Sequence, residues 1–220
     1  MQILLACQIV YSLLNIGVLI ITPIFAVLFK SRFSAATIAQ INSAVSVADL
    51  LELGIYATTG VIFIMWLKKL HRNLESMGVT GMVCESWHCS WAFFIPLVNL
   101  WKPLSVVKEI WKASAPELSN SSDWKNLKPA ALVSWWWLSY LCFLLSTRIV
   151  DFMSKGYDRA VKPTQDDYFY LMLMIVASNL VRLVAAILAI FVVRKLTDRQ
   201  LLKYAAMPVQ TAETGHETQQ

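Results

Sequence analysis

Charge is scarce in this sequence. Only 15% of its 220 residues are Asp, Glu, Lys or Arg, and 57% are hydrophobic. A water-soluble domain carries about 25% charge and about 45–50% apolar residues, so that class is excluded. Glycine is sparse too. The seven glycines are scattered and build no nucleotide turn or phosphate loop. Neither G-x-S-x-G nor H-E-x-x-H occurs. No histidine lies within an apolar run, so an intramembrane hydrolase using Ser139 or Ser146 lacks a base. The chain is therefore expected not to be an enzyme, and it calls for no cofactor. Period-two alternation is missing, which argues against a transmembrane barrel. No internal repeat is visible, which weakens an inverted-repeat transporter. The net charge of +5 is small and reads as topology, with no nucleic-acid partner expected.

Cysteine occurs four times. Cys7 and Cys142 lie in apolar runs and read as small core residues. Cys84 and Cys89 share one loop, and a disulfide there would need an oxidising compartment. That loop is assigned to the cytoplasmic side below, so free thiols are expected.

What the sequence has in abundance is long apolar runs. Crossing about 30 Å of hydrocarbon takes about 20 residues as a helix. Four runs meet that length, roughly residues 3–29, 42–67, 130–150 and 168–193. The first has no positive segment ahead of it and far exceeds the apolar core of a signal peptide, about 7–15 residues, so it reads as a retained helix. Its Gln8, Ser12, Asn15 and Thr22 fall near one face, as a helix–helix contact requires. The expected architecture is an all-α integral membrane protein. Residues 1–206 form one membrane domain of four transmembrane helices, and a polar tail, 207–220, is expected to be disordered.

An even number of spans puts both termini on one side, and Lys and Arg choose which. The loop between spans two and three carries Lys68, Lys69, Arg72, Lys102, Lys108, Lys112, Lys125 and Lys128, and the end of the chain adds Arg194, Lys195, Arg199 and Lys203. The other side has Lys30, Arg32, Lys155, Arg159 and Lys162. Lys30 and Arg32 flank the first span on the outer side and disagree locally, but the total favours cytoplasmic termini in an inner membrane. All nine tryptophans lie on or near that inner side. Indole rings favour the membrane–water interface.

The long loop itself belongs to the membrane domain on this reading. Residues 87–100 are mostly apolar but too short to span, and Pro96 interrupts them. After Pro103, Leu104, Val107, Ile110 and Trp111 face one way and Lys108, Glu109 and Lys112 the other. Residues 87–113 are thus expected as an interfacial or re-entrant amphipathic segment between helices two and three. Trp87, Trp91, Pro96, Asn99, Trp101, Pro103 and Trp111 form its candidate platform.

Four patches carry a resemblance. They are FIMWL (63–67) running into HRNL (71–74), then FFIPLVNLWKPLSVVKEIWKAS (93–114), then Trp135-Trp136-Trp137, then VVRKLTDRQ (192–200). In this order they resemble the bacterial membrane family designated domain of unknown function 4328, over roughly residues 42–203. The resemblance implies a four-helix membrane domain in a bacterial cytoplasmic membrane and no particular activity. The chain departs from the family at Lys68-Lys69, where Tyr-Arg is frequent, and at residues 84–89.

Charges inside the spans are the sharpest functional signal. Asn42, Ser46, Asp49, Glu52, Tyr56 and Thr59 draw one polar stripe along the second span. Arg182 lies near the centre of the fourth, with Asn179 one turn earlier, and Arg148 and Asp151 close the third. An intramembrane charge costs at least about 2.5–3.5 kcal/mol, so these groups are expected to face inward and pair, Glu52 with Arg182 and Asp49 with Arg148. Two roles stay open: structural salt bridges that fix helix register, or an ion or proton path with an anionic-ligand site at Arg182. Cys84, His88 and Cys89 are three soft ligands, but their spacing fits no standard zinc pattern and a fourth is missing, so no metal is expected. The leading expectation is a non-enzymatic membrane scaffold or accessory subunit that binds lipid or protein through the tryptophan platform. Membrane lipids and either a homo-oligomer or a protein partner in the membrane are its expected partners. A small transporter or channel using Asp49, Glu52 and Arg182 is the alternative.

Overall fold

The computed structural model describes residues 35–83, 98–117, 122–159 and 164–206. Among the described residues there are four α-helices and no strand. They are α1 (Ala35–Ser76), α2 (Lys102–Ala113), α3 (Ala131–Arg159) and α4 (Gln165–Ala206). α1, α3 and α4 correspond to the second, third and fourth apolar runs, and α2 to the amphipathic segment. Three helical stretches are long and apolar enough to cross a membrane: Leu53–Ser76 within α1, Ala131–Arg159 and Gln165–Ala206. The expected first span, the tail from residue 207, and the candidates Cys84, Trp87, His88, Cys89, Trp91 and Pro96 lie outside the described residues.

Each helix outruns its apolar stretch. α1 and α4 have 42 residues each, about 63 Å at 1.5 Å per residue, twice the hydrocarbon thickness. Hydropathy marks where hydrocarbon stops, whereas capping marks where a helix stops. α1 stops at Gly78, in the left-handed region at φ 74°. There the Gly78 N–H donates to the Glu75 carbonyl (3.0 Å) and the Val79 N–H to the Leu74 carbonyl (3.1 Å). This pair of bonds is a Schellman turn. It folds Val79 back onto the cluster that buries Leu74. α2 opens with Pro103 in its first turn and closes with Lys112 near its carbonyl end, as the helix dipole favours. α4 opens with a capping box. The Asp167 carboxylate accepts from the Thr164 backbone N–H (2.9 Å) and hydroxyl (2.7 Å), while the Asp167 N–H donates to the Thr164 Oγ1 (3.1 Å).

α3 and α4 form an antiparallel pair, seen in contacts between Tyr157 and Tyr168 near their connection and between Ser146 and Ser178 further along. α1 runs parallel to α4, because Tyr56 and Arg182 both lie against Phe143 and, further along both helices, Leu70 and Asn73 meet Gln200. α1 and α4 therefore end where α3 begins, and α2 packs across that end. The hydrophobic core sits there. It unites Leu70 and Leu74 of α1, Val106, Val107 and Ile110 of α2, Val133, Trp136 and Trp137 of α3, and Val192 and Leu196 of α4.

Candidate intramembrane polar site and capped end

Halfway along the bundle, polar side chains from three helices converge around Phe143. On α1, Tyr56 and Thr59 turn toward the bundle. The Tyr56 hydroxyl lies 2.9 Å from that of Tyr140 on α3, and Thr59 is buried with its hydroxyl donated to the Ile55 carbonyl (2.7 Å). The Tyr56 ring lies 6.4 Å from that of Phe143. On α4, the Arg182 guanidinium lies 5.3 Å from the Phe143 ring centroid and donates to the Asn179 side-chain carbonyl at 3.3 Å. Asn179 is buried and donates in turn to the Ile175 carbonyl at 2.9 Å. One turn away, Ser146 and Ser178 pair their hydroxyls at 2.9 Å. A guanidinium, five hydroxyls and an amide at this level are groups able to hydrogen-bond an anion. They equally lock three helices in register.

The sequence brought Tyr56, Asn179 and Arg182 into one candidate site, and the structure places all three around Phe143. The side chains of Asp49 and Glu52 lie outside the described residues, so their expected pairings do too. Arg148 and Asp151 are exposed. On α3, Arg148 faces away from α4. Arg148 follows two residues after Ser146, which faces α4, and a two-residue step turns about 200° around a helix. Tyr140, Phe143 and Ser178 were not selected from the sequence. Their signal was present: Trp136, Tyr140 and Phe143 recur at three- and four-residue spacing on one face of α3.

The capped end is the second candidate. α2 has the two faces expected of it, with Val107 and Ile110 fully covered. They are covered by protein. Pro103 and Trp111 of the expected platform are buried, the Trp111 ring lies 5.1 Å from the Arg199 guanidinium, and only Trp101 of the described platform residues is open, at 57% exposure. The side chain of Asn99 lies outside the described residues. Polar contacts pin the cap in place. Lys203, buried, donates to the Ala113 carbonyl at the end of α2 (2.8 Å). Gln200 donates to the Leu70 carbonyl (2.8 Å) and accepts from Asn73 (3.2 Å). The indole N–H of Trp137 donates to the Leu100 carbonyl (2.8 Å), and that of Trp124 to the Thr80 carbonyl (3.2 Å). His71 is buried beside Glu75, with its Nδ1 3.3 Å from the carboxylate. Around this rim Leu100, Trp101 and Trp135 stay exposed.

The family model described as Domain of unknown function (DUF4328) matches residues 30–198. The chain belongs to that family. No curated protein and no solved structure matches it. The DUF4328 match takes in the polar site and most of the cap. It stops just short of Arg199 and Lys203, which contact α2, and Gln200, which bonds α1. Among the described residues no cluster of His, Cys, Asp and Glu is arranged to hold a metal.

Proposed function

We propose that this chain is a non-enzymatic scaffold or accessory subunit of the bacterial cytoplasmic membrane, with both termini cytoplasmic, whose capped end binds lipid or a protein partner. The observation that carries the reading is the rim. Leu100, Trp101 and Trp135 are large, apolar and exposed at the level where α3 begins, on a cap whose remaining tryptophans at that level, Trp136 and Trp137, are packed inside. Aromatic side chains at that depth suit the boundary between hydrocarbon and headgroups. The Lys203, Gln200 and Trp137 contacts keep the rim rigid, and a rigid surface loses less entropy on binding.

The test replaces Trp101 and Trp135 with Ala. Co-purifying lipid or partner should fall several-fold while membrane insertion and thermal stability hold. Unchanged co-purification would remove the rim from consideration. The earlier candidate Trp111 is unsuitable for this test, because its removal opens the core.

One observation supports a second reading, a small transporter or channel. Tyr56, Tyr140, Ser146, Ser178, Asn179 and Arg182 gather across three helices halfway along the bundle. Intramembrane polar groups mark transport paths in many membrane proteins. Ion flux in proteoliposomes that survives Glu52→Gln and Arg182→Gln unchanged would sink it.

A further inference from the structure

α1 and α4 share a pattern on their outward faces. On α1 the face opposite Tyr56 runs through Gly54, Thr58, Val61 and Met65, all exposed, with open space where a Gly54 Cβ would be. Continuing at the same helical spacing it reaches Lys69 and Arg72, both exposed. On α4 the outward face runs through Leu180, Val184, Ile187 and Phe191, all exposed, and reaches exposed Arg194 and Lys195. The two helices are parallel, and Gln200 stands level with Leu70 and Asn73. Both cation pairs therefore lie within about one turn of the same depth. Each pair starts three or four residues, about 4.5–6 Å, beyond Met65 or Phe191, and on α4 exposed apolar side chains return only past Asp198, at Leu201 and Leu202. The acids come later: Glu75, already beside His71, follows Arg72, and Asp198 follows Lys195. The cations thus stand between the hydrocarbon and the carboxylates, where a phospholipid carries its phosphate.

We propose that these two faces bind anionic phospholipids of the leaflet at the capped end, with acyl chains along the apolar stripes and phosphates at Lys69–Arg72 and Arg194–Lys195. The proposal rests on reading the capped end as a lipid-contacting platform, and it names the lipid. Exposed Lys and Arg attract anionic headgroups by about 1 kcal/mol each, and salt screens the attraction.

The full chain is reconstituted in phosphatidylcholine vesicles carrying a fixed fraction of brominated lipid, either phosphatidylglycerol or phosphatidylcholine. Tryptophan quenching reports which lipid sits against the protein. Brominated phosphatidylglycerol should associate roughly three- to ten-fold more strongly. Replacing all four cations (Lys69→Gln, Arg72→Gln, Arg194→Gln, Lys195→Gln) should bring the ratio to about one, and each pair alone should lower it part-way. Lys125→Gln with Lys128→Gln, elsewhere on the cap, should leave the preference in place. Near-UV circular dichroism establishes that each variant is folded, and the pair variants serve if the quadruple one is not. Equal quenching by the two lipids overturns the proposal. So does a preference that survives in the folded variants, or one abolished by millimolar inorganic phosphate, which would mark a site for free anions. Failure of the platform reading looks different: lipid co-purification unmoved by loss of Trp101 and Trp135.

Discussion

The two halves of the bundle are held together by different means. At the capped end, side chains from four helices are fully buried, among them Leu74, Val107, Ile110, Val133, Val192 and Leu196. Across the middle and far end, Leu145, Phe152 and Leu173 point away from the protein. On the reading above the first region reaches through the headgroups toward water, and lipid surrounds the second. Apolar surface facing water must be covered, whereas apolar surface facing lipid loses nothing by staying open. The far half therefore relies on specific polar contacts, Tyr56 with Tyr140 and Ser146 with Ser178.

This contrast predicts where substitutions hurt. Ile110→Ala at the cap should cost about 2–5 kcal/mol of unfolding free energy in lipid nanodiscs. Leu145→Ala on the open face of α3 should stay within about 0.5 kcal/mol. Similar losses at both sites would break the comparison and mean that something other than lipid covers α3. Gln200→Leu comes next. It removes two hydrogen bonds to α1, together about 1–3 kcal/mol, and should speed proteolysis within residues 77–117. An effect nearly as small as that of Leu145→Ala is expected halfway along the bundle. Tyr140→Phe removes one hydroxyl of a pair, and intramembrane hydrogen bonds average about 0.6 kcal/mol. A loss several times larger would indicate that the hydroxyl pair supports a wider polar network.

The same contrast explains what was legible in the sequence. The polar stripe of α1 was readable because helical spacing is fixed by geometry, and Tyr56 and Thr59 point where it requires. The two faces of α2 were readable for the same reason. Periodicity says that Val107 and Ile110 need cover, but not whether lipid or protein supplies it. The residues that share their core lie on three other helices, Leu70 and Leu74 upstream and Val133, Val192 and Leu196 downstream. The helices run 9 to 13 residues past the apolar runs, which end at Leu67, Val150 and Val193, and continue to Ser76, Arg159 and Ala206. The signals that matter there are short: Met77-Gly78-Val79 stops α1, and Thr164 with Asp167 starts α4.

Lys203 also sets an order of events during synthesis. The carbonyl it receives, at Ala113, leaves the ribosome 90 residues before it does. At about 5–20 residues per second, that is a delay of several seconds. Throughout that interval α2 can pack against α1 and then α3, but the Lys203 bond that pins its end is missing. A nascent chain arrested before Val192 should thus hold α2 loosely, within reach of the membrane surface or a chaperone, and completion of α4 should fasten it.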